Sequence, residues 1–196
     1  QNYGLQFDGT GAFLDCGKHE TLNINTDLTL EVFLRPGQFS RGRGILARDT
    51  GGDSKQRTPY TLAFDSAGRL VFRFQDKDGN FQTFSTTAFA QQNVSTRVAA
   101  TRKRETQTYR ISDSEIKTLS WYSIGLHVGN VSEFFIYAVD EATKSAVLEL
   151  KKTTPDINKI KAGSDRSPEI GRSNAATLIG RDAGSFFNGI IGEVRI

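Results

Sequence analysis

Along most of this chain, apolar and polar residues alternate in short runs broken by glycine, proline, asparagine and aspartate. Leu28, Leu30, Val32 and Leu34 share one parity, and Thr29, Glu31, Phe33 and Arg35 share the other, before Pro36-Gly37 ends the run. Successive side chains of a strand point to opposite faces, so the alternation predicts a half-buried strand over 28–36. The same reading predicts strands at 44–48, 60–64, 69–74, 81–84, 108–111, 121–128, 134–139 and 146–150. Hairpin turns are predicted at Asp65-Ser-Ala-Gly68, at Asp78-Gly79 and at Asp140-Glu-Ala-Thr-Lys144. Residues 86–106 and 151–176 read as long polar connections. A short strand at 97–100 and a helical turn capped by Asp113 over 113–117 fit within or beside the first.

The two ends carry the same signal. Tyr3, Leu5 and Phe7 alternate, an Asp-Gly-Thr-Gly turn follows, and Phe13 and Leu14 resume. At the other end Leu178-Ile-Gly180 leads through a Gly/Asn/Asp-rich turn into a final strand. There Ile190, Val194 and Ile196 are expected on one face, and Ile191, Glu193 and Arg195 on the other. A chain that closes on a strand must pair it with strands already laid down, and the first strand is the expected partner. Many short strands with turns between them predict an all-β fold, a sandwich or jelly roll of two antiparallel sheets, with 1–196 as a single domain. Its sheets would pack about 10 Å apart over Phe, Leu, Ile and Val.

Composition narrows the function classes. A 37% hydrophobic fraction with 14 Phe supplies a core, and 19 Gly suit strands and turns. A net charge of +3 is too small to argue for nucleic acid. No run approaches the roughly 18 apolar residues of a membrane-spanning helix, and no secretory leader opens the chain. The start at Gln1, with no Met anywhere, is expected of a segment excised from a larger protein. The single cysteine, Cys16, excludes an internal disulfide and is expected to be a buried, inert thiol. N-x-S/T sequons stand at Asn93 and Asn130.

Phe7-Asp8-Gly9 and the closing Gly189-Ile-Ile-Gly-Glu-Val-Arg-Ile196 resemble the end motifs of the laminin G-like, concanavalin A-like jelly-roll superfamily. Residues 28–36, Tyr60-Thr-Leu-Ala-Phe, Gly68-Arg-Leu-Val-Phe72, Trp121-Tyr-Ser-Ile-Gly-Leu126 and Leu178-Ile-Gly180 follow in that family's order. The resemblance implies the concanavalin A-like fold. It leaves function open among lectin-like modules, adhesion modules and glycan-degrading enzymes.

It also implies specific chemistry to look for. Hydrolases of this superfamily are similar in carrying Glu-x-Asp-x-Glu on one strand, which sets the carboxylates on one face; no such triplet exists here. Asp140-Glu141 is an adjacent pair in a turn and diverges. The Arg-rich and Gln-Ile-His strands of its lyases are absent too, and His19 and His127 stand apart from any nucleophile pattern. The resemblance further implies one structural Ca²⁺, held by Asp8, carbonyls of the Gly9-Thr-Gly11 turn and Glu193. Gly192 stands where the family's usual ending has an Asp, so one ligand is missing. Asp76-Lys-Asp-Gly-Asn80 lacks the terminal Glu of a calcium loop and reads as a turn.

A sugar site needs an aromatic platform for apolar C–H faces beside polar groups for hydroxyls. The candidates are Phe33, Arg73, Trp121 and His127 on strand faces opposite the core, with Asp49, Asp53, Arg57 and Tyr60 at a loop edge. The basic cluster Arg97, Arg102, Lys103 and Arg104, with Lys151 and Lys152, would suit an acidic polymer if the two groups converge; a solvated loop is the alternative. The expected protein is a non-catalytic carbohydrate-binding or adhesion module of an extracellular or cell-surface protein, with a periplasmic setting also open. Its partner is a polysaccharide or glycoprotein glycan, an acidic one included. The alternative is a divergent polysaccharide hydrolase or lyase of the same fold.

Overall fold

The computed structural model describes residues 4–22, 27–37, 43–48, 60–66, 68–75, 81–86, 106–112, 119–128, 132–140, 143, 145–154, 176–182 and 184–196. The described strands, in chain order, are β1 (Leu5–Asp8), β2 (Leu14–Asp15), β3 (Leu28–Pro36), β4 (Arg43–Arg48), β5 (Tyr60–Phe64), β6 (Leu70–Gln75) and β7 (Phe81–Thr86). They continue as β8 (Thr106–Ser112), β9 (Tyr122–Val128), β10 (Ser132–Asp140), β11 (Ser145–Thr154), β12 (Thr177–Ile179) and β13 (Asn188–Arg195). One single-turn 3₁₀ helix, Glu20–Leu22, interrupts them.

These strands form two sheets, one in the order β1-β13-β3-β9-β10-β11 and the other β2-β12-β4-β5-β6-β7-β8. The all-β sandwich predicted from the alternation is therefore the observed fold. Pairing is antiparallel throughout the described ladders except between β7 and β8, which run parallel. Parallel neighbours cannot be joined by a tight turn and need a crossover of a dozen or more residues. That requirement accounts for the length of the connection spanning 87–105.

Parity puts Leu28, Leu30, Val32 and Leu34 of β3 beside Tyr122, Ile124, Leu126 and Val128 of β9, facing inward. Tyr60, Leu62 and Phe64 of β5 and Leu70, Phe72 and Phe74 of β6 meet them from the other sheet. Each such apolar side chain contributes roughly 1.5–3 kcal/mol by leaving water. The ends of the core are closed by arginines on β4. Arg48 is fully buried and donates through Nη1 to Thr177 Oγ1 at 2.8 Å, beside Tyr60. Desolvation pushes the Arg48 guanidinium down and the Tyr60 hydroxyl up. At the far end of β4, Arg43 donates to the carbonyls of Gly9 and Phe186.

Both termini turn corners between the sheets. β1 pairs with β13 in one sheet, as expected, with Phe7 opposite Gly189, whereas β2 pairs with β12 in the other. The chain crosses between sheets after β1 and again after β12, so the first and last segments close the same side of the sandwich. The expected face pattern of the last strand is corrected. Ile191 and Val194 both face the core, while Ile190 lies opposite Arg35 on the outer side. A bulge between Ile191 and Glu193 is the cause: one extra residue inverts the parity beyond it.

Other expectations are corrected or fall outside the described residues. Residues 151–154, expected in a connection, continue β11. Cys16, expected to be buried, is exposed. Partial desolvation and the Asp15 carboxylate still push its thiol above the ordinary range, which disfavours the reactive thiolate. Tyr3, the strand at 97–100 with its basic cluster, the turn at 113–117 and the Asp76–Asn80 turn lie outside the described residues.

Candidate functional site

The outer face of the six-stranded sheet assembles an aromatic surface. Phe33 on β3 and Trp121 at the start of β9 are both half-buried and stack with ring centroids 4.7 Å apart and planes 11° from parallel. They are diagonal neighbours, because Phe33 pairs with Ser123 across the ladder, and diagonal positions lie within reach of large rings. Ser123 in turn pairs with Tyr137 of β10, so Glu193, Phe33, Ser123 and Tyr137 form one row across the sheet. The next row is Arg195, Glu31, Gly125 and Phe135. Gly125 leaves a depression there, since a Cβ at that position would touch only Phe135, at 3.8 Å.

Backbone contacts hold the platform in place. Leu119 adopts a left-handed conformation, φ 64°, unusual for a bulky residue, and its N–H donates to the Pro36 carbonyl at 2.7 Å. Arg35 Nε donates to the Leu119 carbonyl at 2.9 Å. The N–H of Val139 donates to the Trp121 carbonyl at 2.9 Å. These bonds tie down the backbone that carries the Trp121 indole.

Charge borders the rings. Arg195 pairs with Glu31 at 3.1 Å and with Glu193 at 2.8 Å, and all three side chains are more than half exposed. Such surface pairs contribute about 0–1 kcal/mol, so their hydrogen-bonding capacity remains available to a ligand. Further along the same face, His127 Nδ1 lies 2.9 Å from Thr29 Oγ1. His127 stands four residues beyond Ser123, roughly 13 Å along the strand.

The sequence-predicted residues therefore separate. Phe33, Trp121 and His127 share this face. Arg73 is exposed on the outer side of β6, between Thr61 and Thr83 in register, and so lies on the opposite side of the sandwich. Tyr60, expected at a loop edge, is corrected to the core: it has the parity of Leu62 and Phe64 and is fully buried. Its hydroxyl is buried beside Thr177 and Arg48. Asp49, Asp53 and Arg57 lie outside the described residues.

The expected calcium ligands do not form one set. Asp8 pairs with Asn188, five positions from Glu193 along β13, a separation of roughly 16 Å. Asp8 Oδ1 accepts from the N–H groups of Thr10, Gly11 and Ala12 at 2.8, 3.0 and 3.1 Å. Those bonds, from Gly11 foremost, hold the carboxyl well below the usual carboxylate range. The Gly9 carbonyl accepts from Arg43 Nη1 at 2.9 Å, so a guanidinium already occupies that oxygen. Among the described residues no three of His, Cys, Asp and Glu gather as a metal site would require.

Reading the sequence missed Tyr137, Phe135 and the Arg195 pairings. Residues 134–139 are apolar or small on both parities, so only the register with β9 reveals which of them face outward.

No family model and no curated protein sequence matches the chain. Solved structures do resemble it. A Ruminococcus gnavus IT-sialidase CBM40 bound to alpha2,3 sialyllactose aligns with TM-score 0.59 at 12% identity, over 97% of this chain and 86% of that one. Mouse laminin alpha1 chain domains LG4-5 align with TM-score 0.51 at 13% identity, over 98% and 40%. A leech intramolecular trans-sialidase aligns with TM-score 0.52 at 13% identity, over 97% and 24%. At such identities the likeness establishes the fold, a concanavalin A-like jelly roll, and leaves the ligand to the residues of this chain.

Proposed function

We propose that this chain is a carbohydrate-binding module that receives a saccharide on the outer face of its six-stranded sheet. The observation that carries the reading is the Phe33–Trp121 stack, two nearly parallel rings packed face to face and both half-buried on the outer side of the sheet. A pyranose offers an apolar C–H face to such rings and hydroxyls at its edge. Glu31, Glu193, Arg195 and His127 supply acceptors and donors around them. The Gly125 depression gives a second sugar room beside Phe135. The sialyllactose named with the CBM40 structure supports a saccharide ligand for this fold. Glu31 and Glu193 are exposed and tied to one guanidinium, unlike the opposed acid and nucleophile or base of a hydrolase. That favours binding without turnover. An adhesion role at a cell surface follows as the setting in which such a module acts.

The test is calorimetric binding of neutral and acidic polysaccharides to the 196-residue chain, beside the Phe33→Ala and Trp121→Ala variants. Binding is expected for the wild type, lost in both variants and retained with a calcium chelator. No binding with or without chelator overturns the reading, as does equal binding by the variants; release of reducing ends would point to the hydrolase alternative.

A further inference from the structure

A second group of residues lies where β12 turns into β13, at one end of the sandwich. The Arg181 guanidinium sits over two rings, 4.9 Å from the centroid of Phe13 and 5.1 Å from that of Phe186. The rings are 6.2 Å apart, and Phe13 is 38% exposed. Among the described residues no carboxylate pairs with Arg181, and none of its N–H groups has a protein acceptor. The neighbouring acids are engaged in their own turns. Asp182 Oδ1 accepts from the N–H groups of Gly184 and Ser185 and from Ser185 Oγ, and Asp8 Oδ1 caps the first turn.

The turn beneath the guanidinium is fixed. Arg181 and Phe186 form a β-bridge, and Asp182 N–H donates to the Ser185 carbonyl at 3.0 Å. Gly44 N–H donates to Ser185 Oγ at 3.0 Å, and a side chain at Gly44 would collide with the Asp182 backbone. Arg43, a second guanidinium, donates to the Phe186 carbonyl at 3.2 Å. A cation stacked on two rings has little side-chain freedom left to lose, and its planar fork of donors is set for a bidentate oxyanion.

We infer that Arg181, with Phe13 and Phe186, forms an anion subsite for the carboxylate or sulfate of an acidic saccharide. The guanidinium takes the oxyanion and the exposed edge of Phe13 meets the sugar ring. The saccharide carrier rests on the function proposed above, while the anion contact is independent of it.

The experiment is an NMR titration of the ¹⁵N-labelled chain with glucuronic acid, glucose 6-sulfate and glucose. One or both anionic sugars are expected to shift the Arg181 Nε–H and the Ser185 and Phe186 amides, and glucose to leave them still. A response to only one anion identifies the group recognised. Arg181→Gln is expected to weaken that response at least tenfold and Trp121→Ala to leave it unchanged. If the glutamine variant does not fold, Arg181→Lys, which keeps the charge but not the fork, is expected to weaken it several-fold. No shift with either anion, an equal shift with glucose, or unchanged affinity in the folded variant overturns the subsite. Polysaccharide binding that survives Phe33→Ala and Trp121→Ala, with the anion response intact, would overturn the platform instead.

Discussion

The ring of Phe7 lies directly against the backbone of Gly180, so the first strand of one sheet is locked onto the end of β12 in the other. Gly180 has φ +83°, and a Cβ there would overlap the Phe7 ring. Gly180→Ala therefore combines a left-handed backbone with an overpacked core, a loss of roughly 2 to 5 kcal/mol. Thermal unfolding is expected to show a fall of roughly 5 to 15 °C; a melting temperature within a degree of wild type would show that this contact does not close the sandwich.

Trp121→Ala and Phe33→Ala remove half of a stacked pair on an outward face. The pair contributes about 0.5–1.5 kcal/mol to stability, so both variants remain folded and melt only a few degrees lower. Glycan affinity is expected to fall at least tenfold, about 1.4 kcal/mol, by calorimetry on the same samples.

Gly125 tests the face without touching a ring. Gly125→Ala meets Phe135 only at ordinary contact distance and keeps or slightly raises stability, by up to about 1 kcal/mol. Gly125→Gln fills the depression and is expected to weaken glycan binding roughly tenfold while circular dichroism stays unchanged. Undiminished affinity in that variant would place the saccharide elsewhere.

Leu119 is held at φ 64° with its side chain 61% exposed. Leu119→Gly relieves the left-handed strain at little loss of burial, so stability is expected to hold or rise by up to about 1 kcal/mol. If the turn positions Trp121 through its backbone bonds alone, glycan affinity is retained; chemical denaturation and calorimetry read the two effects separately.

Asp8 links stability to pH. Its folded-state acidity lies well below that of a free aspartate because three N–H groups hold the carboxylate. A depressed pKa gives stability that is present above the unfolded value, about 4, and lost as pH falls toward the folded one. Asp8→Ala is therefore expected to melt below wild type at neutral pH, with the gap narrowing as pH drops beneath about 4. A gap that stays constant across that window would contradict the role.

Alternation alone determined the β3 faces, and a chain that closes on a strand pointed to the meeting of the two termini. A half-buried strand must place apolar residues at every second position, and that requirement is written locally. Register is not local. Tyr137 joins the row of Phe33 only through its pairing with Ser123, and nothing in the apolar stretch around it marks which face it takes. The bulge before Glu193 likewise inverts the last strand by one inserted residue, a shift visible only against β3. Tyr60 reads as a loop-edge tyrosine from its polar neighbours, yet the opposing sheet draws it into the core beside Arg48. Chain alternation determines which residues can face outward; the pairing of strands distant in sequence decides which of those stand together, because ladder contacts join residues that no local pattern connects.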